Sequence, residues 1–354
     1  MKRIVLTGGG TAGHVTANLA LIPHLLQRDW EIHYIGSENG MERELVSQVQ
    51  GVEYHAIATG KLRRYFDLKN LSDPFRVIKG AAQAASLLRK LKPDLVFSKG
   101  GFVSVPVALG AFFNGVPLIC HESDLSPGLA NKLCQPFAKR VCTAFPETAR
   151  LLKKGVYTGT PLRDELFFGT KKEGLARFSL DEGKPVLMVT GGSSGALAIN
   201  NALREALPSL LQEFQVLHLC GKGNHSALSM RGYVELEYLS DGMAEAFACA
   251  DLLVSRAGAN TLCEILALRK PNLLIPYPKG STSRGDQIEN AASFEQRGLS
   301  MVLRQDELSA ETLAAGVRAL YAGREGFINA MCREPSGNGL NAVLEIIEES
   351  AKKR

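Results

Sequence analysis

The sequence predicts an α/β protein of two doubly wound, Rossmann-like domains facing each other across a cleft. Three observations carry this. Short apolar runs alternate with helically spaced segments along the chain, the pattern of βαβ units in parallel sheets. A glycine-rich turn follows the first strand of each half, in "VLTGGGTAGH" (5–14) and in "VLMVTGGSSGA" (186–196). The chain has 354 residues, too many for one ordinary core.

Taken in order, Arg3–Thr7, Ile32–Ile35, Tyr54–Ile57, Leu95–Ser98, Pro117–Cys120 and Arg140–Thr143 read as short buried strands of the first half. Val186–Thr190, Val216–Cys220, Val234–Glu237, Leu252–Ser255 and Asn272–Pro276 read as those of the second. The halves change over near "GVYTGTPLRDEL" (155–166), and the polar stretch 169–185 edges the linker. The expected domains are therefore 1–160 and 161–337. The last segment, about 338–354, contains "NAVLEIIEESAKKR", with helical spacing and a basic end suited to a helix C-terminus, and is expected to pack back on the first domain.

Composition narrows the classes. Apolar residues make up 45% and glycine is abundant, as in a glycine-turned globular α/β protein. No apolar run is long enough to span a bilayer. The N-terminus passes from a strand straight into glycines, so no signal peptide is expected, and the protein is expected in the cytosol or on the cytosolic side of a membrane. Seven cysteines form no C-x-x-C and no Cys/His cluster at zinc spacing, so buried, reduced thiols are expected, with no disulfide and no metal. The net charge of +5 is uneven: residues 1–160 hold 20 Lys/Arg against 12 Asp/Glu, a net of +8, which leaves −3 for the rest. A basic first half points to an anionic partner.

The glycine turns sit at the carboxyl ends of strands, where ligands of such sheets bind. Gly8, Gly10 and Gly13 form a literal G-x-G-x-x-G. A dinucleotide site also needs an acid at the end of the second strand. Here Glu38 comes after Gly36 and Ser37, and the fingerprint is incomplete. No Gly-Lys-Ser/Thr follows, which excludes a P-loop. Three further loops repeat the design: Gly100–Gly101, the turn at 191–195 with Ser193 and Ser194, and "SRAGANTLCE" (255–264), with Arg256, Gly258 and Ala259 as candidate contacts. Each offers backbone N–H groups and a helix N-terminus to an anion. Loops on both walls suit a nucleotide-diphosphate donor and a phosphorylated acceptor better than one nicotinamide cofactor. Glu264 lies nearly two turns into the last of these helices. Its acceptor-only oxygens suit a ribose diol; a helix-surface acid fits the same spacing.

The motifs "GGTAGH" (9–14), "GGFVSVP" (100–106), "HESDLSPGLANK" (121–132), "GTPLR" (159–163), "GGSSGA" (191–196), "SRAGANTLCE" (255–264) and "DQIENA" (286–291) occur in this order. Together they are highly specific, and the chain resembles the MurG family from residue 3 to about 345. The resemblance implies a GT-B fold and inverting transfer of N-acetylglucosamine (GlcNAc) from UDP-GlcNAc to the 4-hydroxyl of the muramoyl sugar of lipid I, giving lipid II, with no cofactor. It implies that the second domain binds the donor: Glu264 the ribose, Ser193 and Arg163 the nucleotide, Gln287 the sugar hydroxyls, and backbone near Leu239 the uracil. Thr11, Gly13, His14, Phe102, Glu122 and Asp124 would lie at the acceptor and reaction centre. It also implies contact with other cell-wall synthesis proteins and no role for nucleic acid. Three positions depart from the usual family pattern: Ala12 replaces a glycine, Phe102 a tyrosine and Asp124 an asparagine.

Inverting transfer needs a base for the acceptor proton and stabilisation of the leaving diphosphate. No D-x-D motif marks a metal, so glycine-loop N–H groups, a helix dipole and Arg163 are expected to stabilise UDP. His14 is the first candidate base; Glu122 and Asp124 compete with it, or cap the helix beginning near Pro127. An amphiphilic acceptor also requires a membrane contact. Residues 61–92 hold nine Lys/Arg against only Asp67 and Asp73, with Leu62, Tyr65, Phe66, Leu71, Phe75 and Ile78 interleaved. This predicts an anionic-membrane patch at 61–79 and a sheet-packed helix at 81–91, hence a peripheral protein on the cytoplasmic face. The rivals are another GT-B glycolipid synthase, a UDP-GlcNAc epimerase, which would not need the basic-aromatic segment, and a non-catalytic UDP-sugar-binding subunit, which could lose His14 and Glu122.

Overall fold

The computed structural model describes residues 1–60, 73–192, 194–280, 285–335 and 337–352. Two compact units emerge: Met1–Arg163 with Asn338–Arg354, and Asp164–Gly337.

The first unit alternates strand and helix throughout: β1 (Lys2–Thr7), α1 (Ala12–Gln27), β2 (Trp30–Ser37), α2 (Met41–Ser47), β3 (Val52–Ile57), α3 (Asp73–Leu91), β4 (Leu95–Ser98), α4 (Ser104–Phe113), β5 (Leu118–Glu122), α5 (Leu129–Cys134), β6 (Arg140–Thr143), α6 (Pro146–Leu151) and β7 (Gly155–Tyr157). The strands pair in parallel in the order β3-β2-β1-β4-β5-β6-β7. The central strands are covered on both faces, which is why "LVFS" of β4 is continuously buried instead of alternating. β7 was not anticipated: its three residues begin with glycine and run into "TGTP", which reads as a turn.

The second unit repeats the plan with α7 (Lys171–Arg177), β8 (Val186–Thr190), α8 (Leu197–Leu210), β9 (Gln215–Leu219), β10 (Tyr233–Leu236), α9 (Met243–Cys249), β11 (Leu252–Ser255), α10 (Ala259–Leu268), β12 (Asn272–Leu274), α11 (Asp286–Gln296), β13 (Met301–Val302) and α12 (Ala310–Arg333). Its parallel sheet runs β10-β9-β8-β11-β12-β13. The two-residue β13 is too short to carry a period. A capping box starts α12, with Ser309 and Thr312 each accepting from the other's backbone N–H.

The chain then returns to the first unit as α13 (Leu340–Ser350). Leu340, Val343, Leu344 and Ile347 join the core built by Ile4, Leu6, Leu21, Leu25 and Trp30. The Trp30 indole N–H donates to Glu348 at 2.8 Å. In both sheets the strand order reverses beside the first strand of the unit, at β1/β4 and at β8/β11. These switch points are where crevices open at strand ends. Six of the seven cysteines are buried and free, and Cys332 is exposed. Among the described residues no helix is long and apolar enough to cross a membrane.

Candidate active site

In the first unit two glycine loops meet at the β1/β4 switch point. The Gly9 N–H donates to the Gly100 carbonyl at 3.3 Å. Gly101 has φ +84°, and a Cβ there would strike the Gly9 carbonyl, so only glycine allows this approach. Thr11 is the N-cap of α1 in extended conformation, and its carbonyl accepts from the His14 N–H. His14 Nδ1 lies 2.9 Å from the Gly9 carbonyl. A carbonyl can only accept, so Nδ1 carries a hydrogen, and in the neutral form of the ring Nε2 holds the lone pair. Gly13 accepts from the Thr16 hydroxyl at 3.4 Å, and Phe102 is half-buried in the second loop.

Glu122 ends β5 and is buried. Oε1 accepts from the Asp124 N–H at 3.1 Å; Oε2 accepts from the Gly128 N–H and Asn131 Nδ2, both at 2.9 Å. Its carboxylate therefore folds the "HESDLSPG" loop and secures the start of α5. Asp124 is half-buried in that loop.

Behind the loops lies a group that sequence reasoning missed. Lys99 is fully buried, with Nζ donating to His121 Nδ1 at 2.9 Å and to the Ser123 hydroxyl. His121 Nε2–H donates to the Gly159 carbonyl at 2.9 Å. Burial, with the Lys99 charge added, holds His121 well below its usual range and therefore neutral. Glu42 was also missed. It is buried against Gly9, where a Cβ would collide with its carboxylate, and it accepts from the Ser37 N–H at 3.0 Å. A buried lysine or glutamate runs against composition, and only contacts reveal it.

In the second unit a cavity of about 440 Å³ opens at the carboxyl ends of β8, β9 and β10, beside α9 and α10. Met188, Leu219, Leu239, Met243 and Phe247 make its apolar lining; Thr190, Gly192, Lys222, Glu237, Thr261 and Glu264 add the polar groups. Thr261 and Glu264 stand three residues apart on α10 and so share one face. Leu239 and Glu264 are thus brought together, beside the loop that carries Gly192. Ser193, in the same loop, lies outside the described residues.

The remaining candidates have other placements. Arg256 donates to the Ile275 carbonyl at 2.9 Å and to Gln305 Oε1 at 2.6 Å, and stacks over Tyr277. Gly258 caps α10, and Ala259 is buried at its first position. Gln287 Oε1 accepts from the Tyr277 N–H at 2.9 Å. These four are not among the residues lining the cavity. Arg163 is exposed and belongs to the first unit.

The chain matches the model of the glycosyltransferase family 28 N-terminal domain over residues 4–143 and that of the family 28 C-terminal domain over 186–347. It is 53% identical over 353 residues to a protein of Lachnoclostridium phytofermentans, with 99% of each chain covered. It is 51% identical to one of Geobacillus thermodenitrificans, again with 99% of each covered. Both relatives are named UDP-N-acetylglucosamine–N-acetylmuramyl-(pentapeptide) pyrophosphoryl-undecaprenol N-acetylglucosamine transferase. This chain belongs to the MurG family. The MurG crystal structure from Acinetobacter baumannii shares the fold, with a TM-score of 0.78 at 24% identity, covering 99% of this chain and 100% of that one. As a MurG-family member the protein is a glycosyltransferase with two parallel-sheet α/β domains of GT-B type.

Proposed function

We propose that the protein transfers GlcNAc from UDP-GlcNAc to the 4-hydroxyl of the N-acetylmuramyl sugar of lipid I, with inversion, forming lipid II. The observation that carries this is the second unit's cavity, where a carboxylate on α10 faces an apolar lining that includes Leu239. Uracil would lie against the apolar residues and the ribose diol would donate to Glu264. The N-terminus of α8 and the 191–196 loop would receive the diphosphate. In the first unit His14 Nε2 would take the acceptor proton, Glu122 would hold the acceptor loop in shape, and Thr11, Gly13, Phe102 and Asp124 would border the acceptor.

Calorimetry tests the donor assignment. Glu264→Ala should weaken UDP-GlcNAc binding by about 1–3 kcal/mol, the cost of a lost charged hydrogen bond. Deoxyribose nucleotides such as dTDP should bind the parent less well, since they lack the 2′-hydroxyl. Unchanged affinity in the variant would remove Glu264 from the ribose site.

A peripheral position on the cytoplasmic face of the membrane is part of this proposal. Residues 61–72 of the basic-aromatic segment lie outside the described residues. Beyond them, on the first turns of α3, Phe75 and Ile78 are 74% and 67% exposed beside exposed Arg76 and Lys79, while Ala84 and Leu88 are buried further along. Such apolar tips among cations suit an anionic bilayer surface, each cation contributing about 1 kcal/mol near it. Replacing Arg63, Arg64 and Lys69 by glutamine should abolish sedimentation with anionic vesicles at low salt. Turnover of a soluble short-chain acceptor should persist. Vesicle binding equal to the parent's would rule this patch out as the membrane contact.

A further inference from the structure

We propose that His33, Glu53 and His55 form a binding site for one divalent transition-metal ion of the zinc class, on the edge of the first unit's sheet and apart from the glycine loops. Scanning for zinc spacing missed it because the ligands come from two strands. β2 and β3 pair with His33 opposite Glu53, and His55 lies two residues further along the same face of edge strand β3. Among the described residues this is the one group of three His, Cys, Asp or Glu side chains whose ligand atoms converge, all within 4.8 Å of one another.

His33 Nδ1 is 3.0 Å from His55 Nε2 and 3.3 Å from Glu53 Oε2; His55 Nε2 is 3.8 Å from Glu53 Oε1. Donors held about 2.0–2.2 Å from a tetrahedral zinc ion stand about 3.3 Å apart, close to this spread. The other nitrogen of His33 fixes the orientation of its ring. Nε2 faces Glu31 Oε1 at 3.0 Å, and Glu31 Oε2 pairs with the Arg3 guanidinium at 2.6 Å. A carboxylate accepts, so Nε2 carries a hydrogen, and this contact turns Nδ1 toward His55 and Glu53. A metal ion would take one donor atom from each of the three side chains. A carboxylate behind a ligating imidazole is also the usual outer partner that orients it. His33 is 4% exposed, His55 16% and Glu53 67%, so water can complete the coordination from the solvent side. Two imidazoles and one carboxylate suit zinc, cobalt or nickel better than magnesium or calcium. The bound ion would tie the edge strand to its neighbour.

The test uses full-length, untagged, chelator-stripped protein carrying Cys332→Ser, since Cys332 is the exposed thiol. Zn²⁺ titration should raise Tm, by binding to the folded state, with saturation at one ion per chain. Co²⁺ should give the intense visible bands of tetrahedral coordination. His55→Ala, read beside its own metal-free melt to confirm folding, should lose both effects, as should Glu53→Gln together with His55→Ala. Glu31→Gln should keep the cobalt spectrum but weaken affinity by about 10–100-fold, as loss of an outer partner does. No Tm rise and no tetrahedral spectrum in the parent would overturn the proposal. So would equal effects in parent and double variant, which would locate the ion elsewhere.

Discussion

His14→Ala should lower kcat for transfer by about 10²–10⁴-fold, the range of a positioned general base, and leave UDP-GlcNAc affinity unchanged. Nδ1–H is held by the Gly9 carbonyl, which presents Nε2 as the basic atom at the N-terminus of α1. The donor cavity is built entirely from the second unit. Single-turnover rates and calorimetry on the same variant separate the two quantities. Affinity falling in parallel with rate would make His14 a donor-binding residue.

A comparably large effect on stability is expected at Glu235. Its side chain is 2% exposed. Oε1 accepts from Arg204 at 2.7 Å and from the Tyr233 hydroxyl at 2.9 Å; Oε2 accepts from the Ser226 N–H and hydroxyl, both at 2.7 Å. Burial alone would raise its pKa, but these hydrogen bonds outweigh it and hold the carboxyl at about 2. The folded-state value lies below the ordinary 4.5, so the stabilisation is complete above that value and is lost as pH falls from there toward about 2. Glu235→Ala leaves Arg204 without its carboxylate and should cost about 3 kcal/mol at neutral pH. The parent's extra loss of stability below pH 4.5 should be smaller in the variant. Urea unfolding followed by circular dichroism at neutral and acid pH measures both. Equal stabilities at neutral pH would show that the network contributes nothing net.

The fold was legible where one physical signal dominated. β4, β6, β8 and β11 are buried runs bounded by punctuation, and their limits agree with those read from sequence. β7 and β13 were not legible, because two or three residues beside glycine or at a sheet edge carry no period. In the second unit, Glu264 and Leu239, singled out through motif context, line one cavity. The engagement of Arg256 with Ile275 and Gln305 was not, because it depends on loops far apart in the chain. The same holds for Lys99 with His121 and for His33 with His55: sheet register, not sequence spacing, creates those neighbours.

The central claim is the transfer reaction itself. Purified protein incubated with UDP-GlcNAc and a lipid I analogue, with UDP release and the disaccharide-lipid product measured together, tests it most directly. Equal amounts of UDP and of a β-linked GlcNAc–MurNAc lipid, both dependent on the acceptor, are the expected result. UDP formed at the same rate without acceptor, or conversion of UDP-GlcNAc to an isomeric sugar nucleotide, would contradict it.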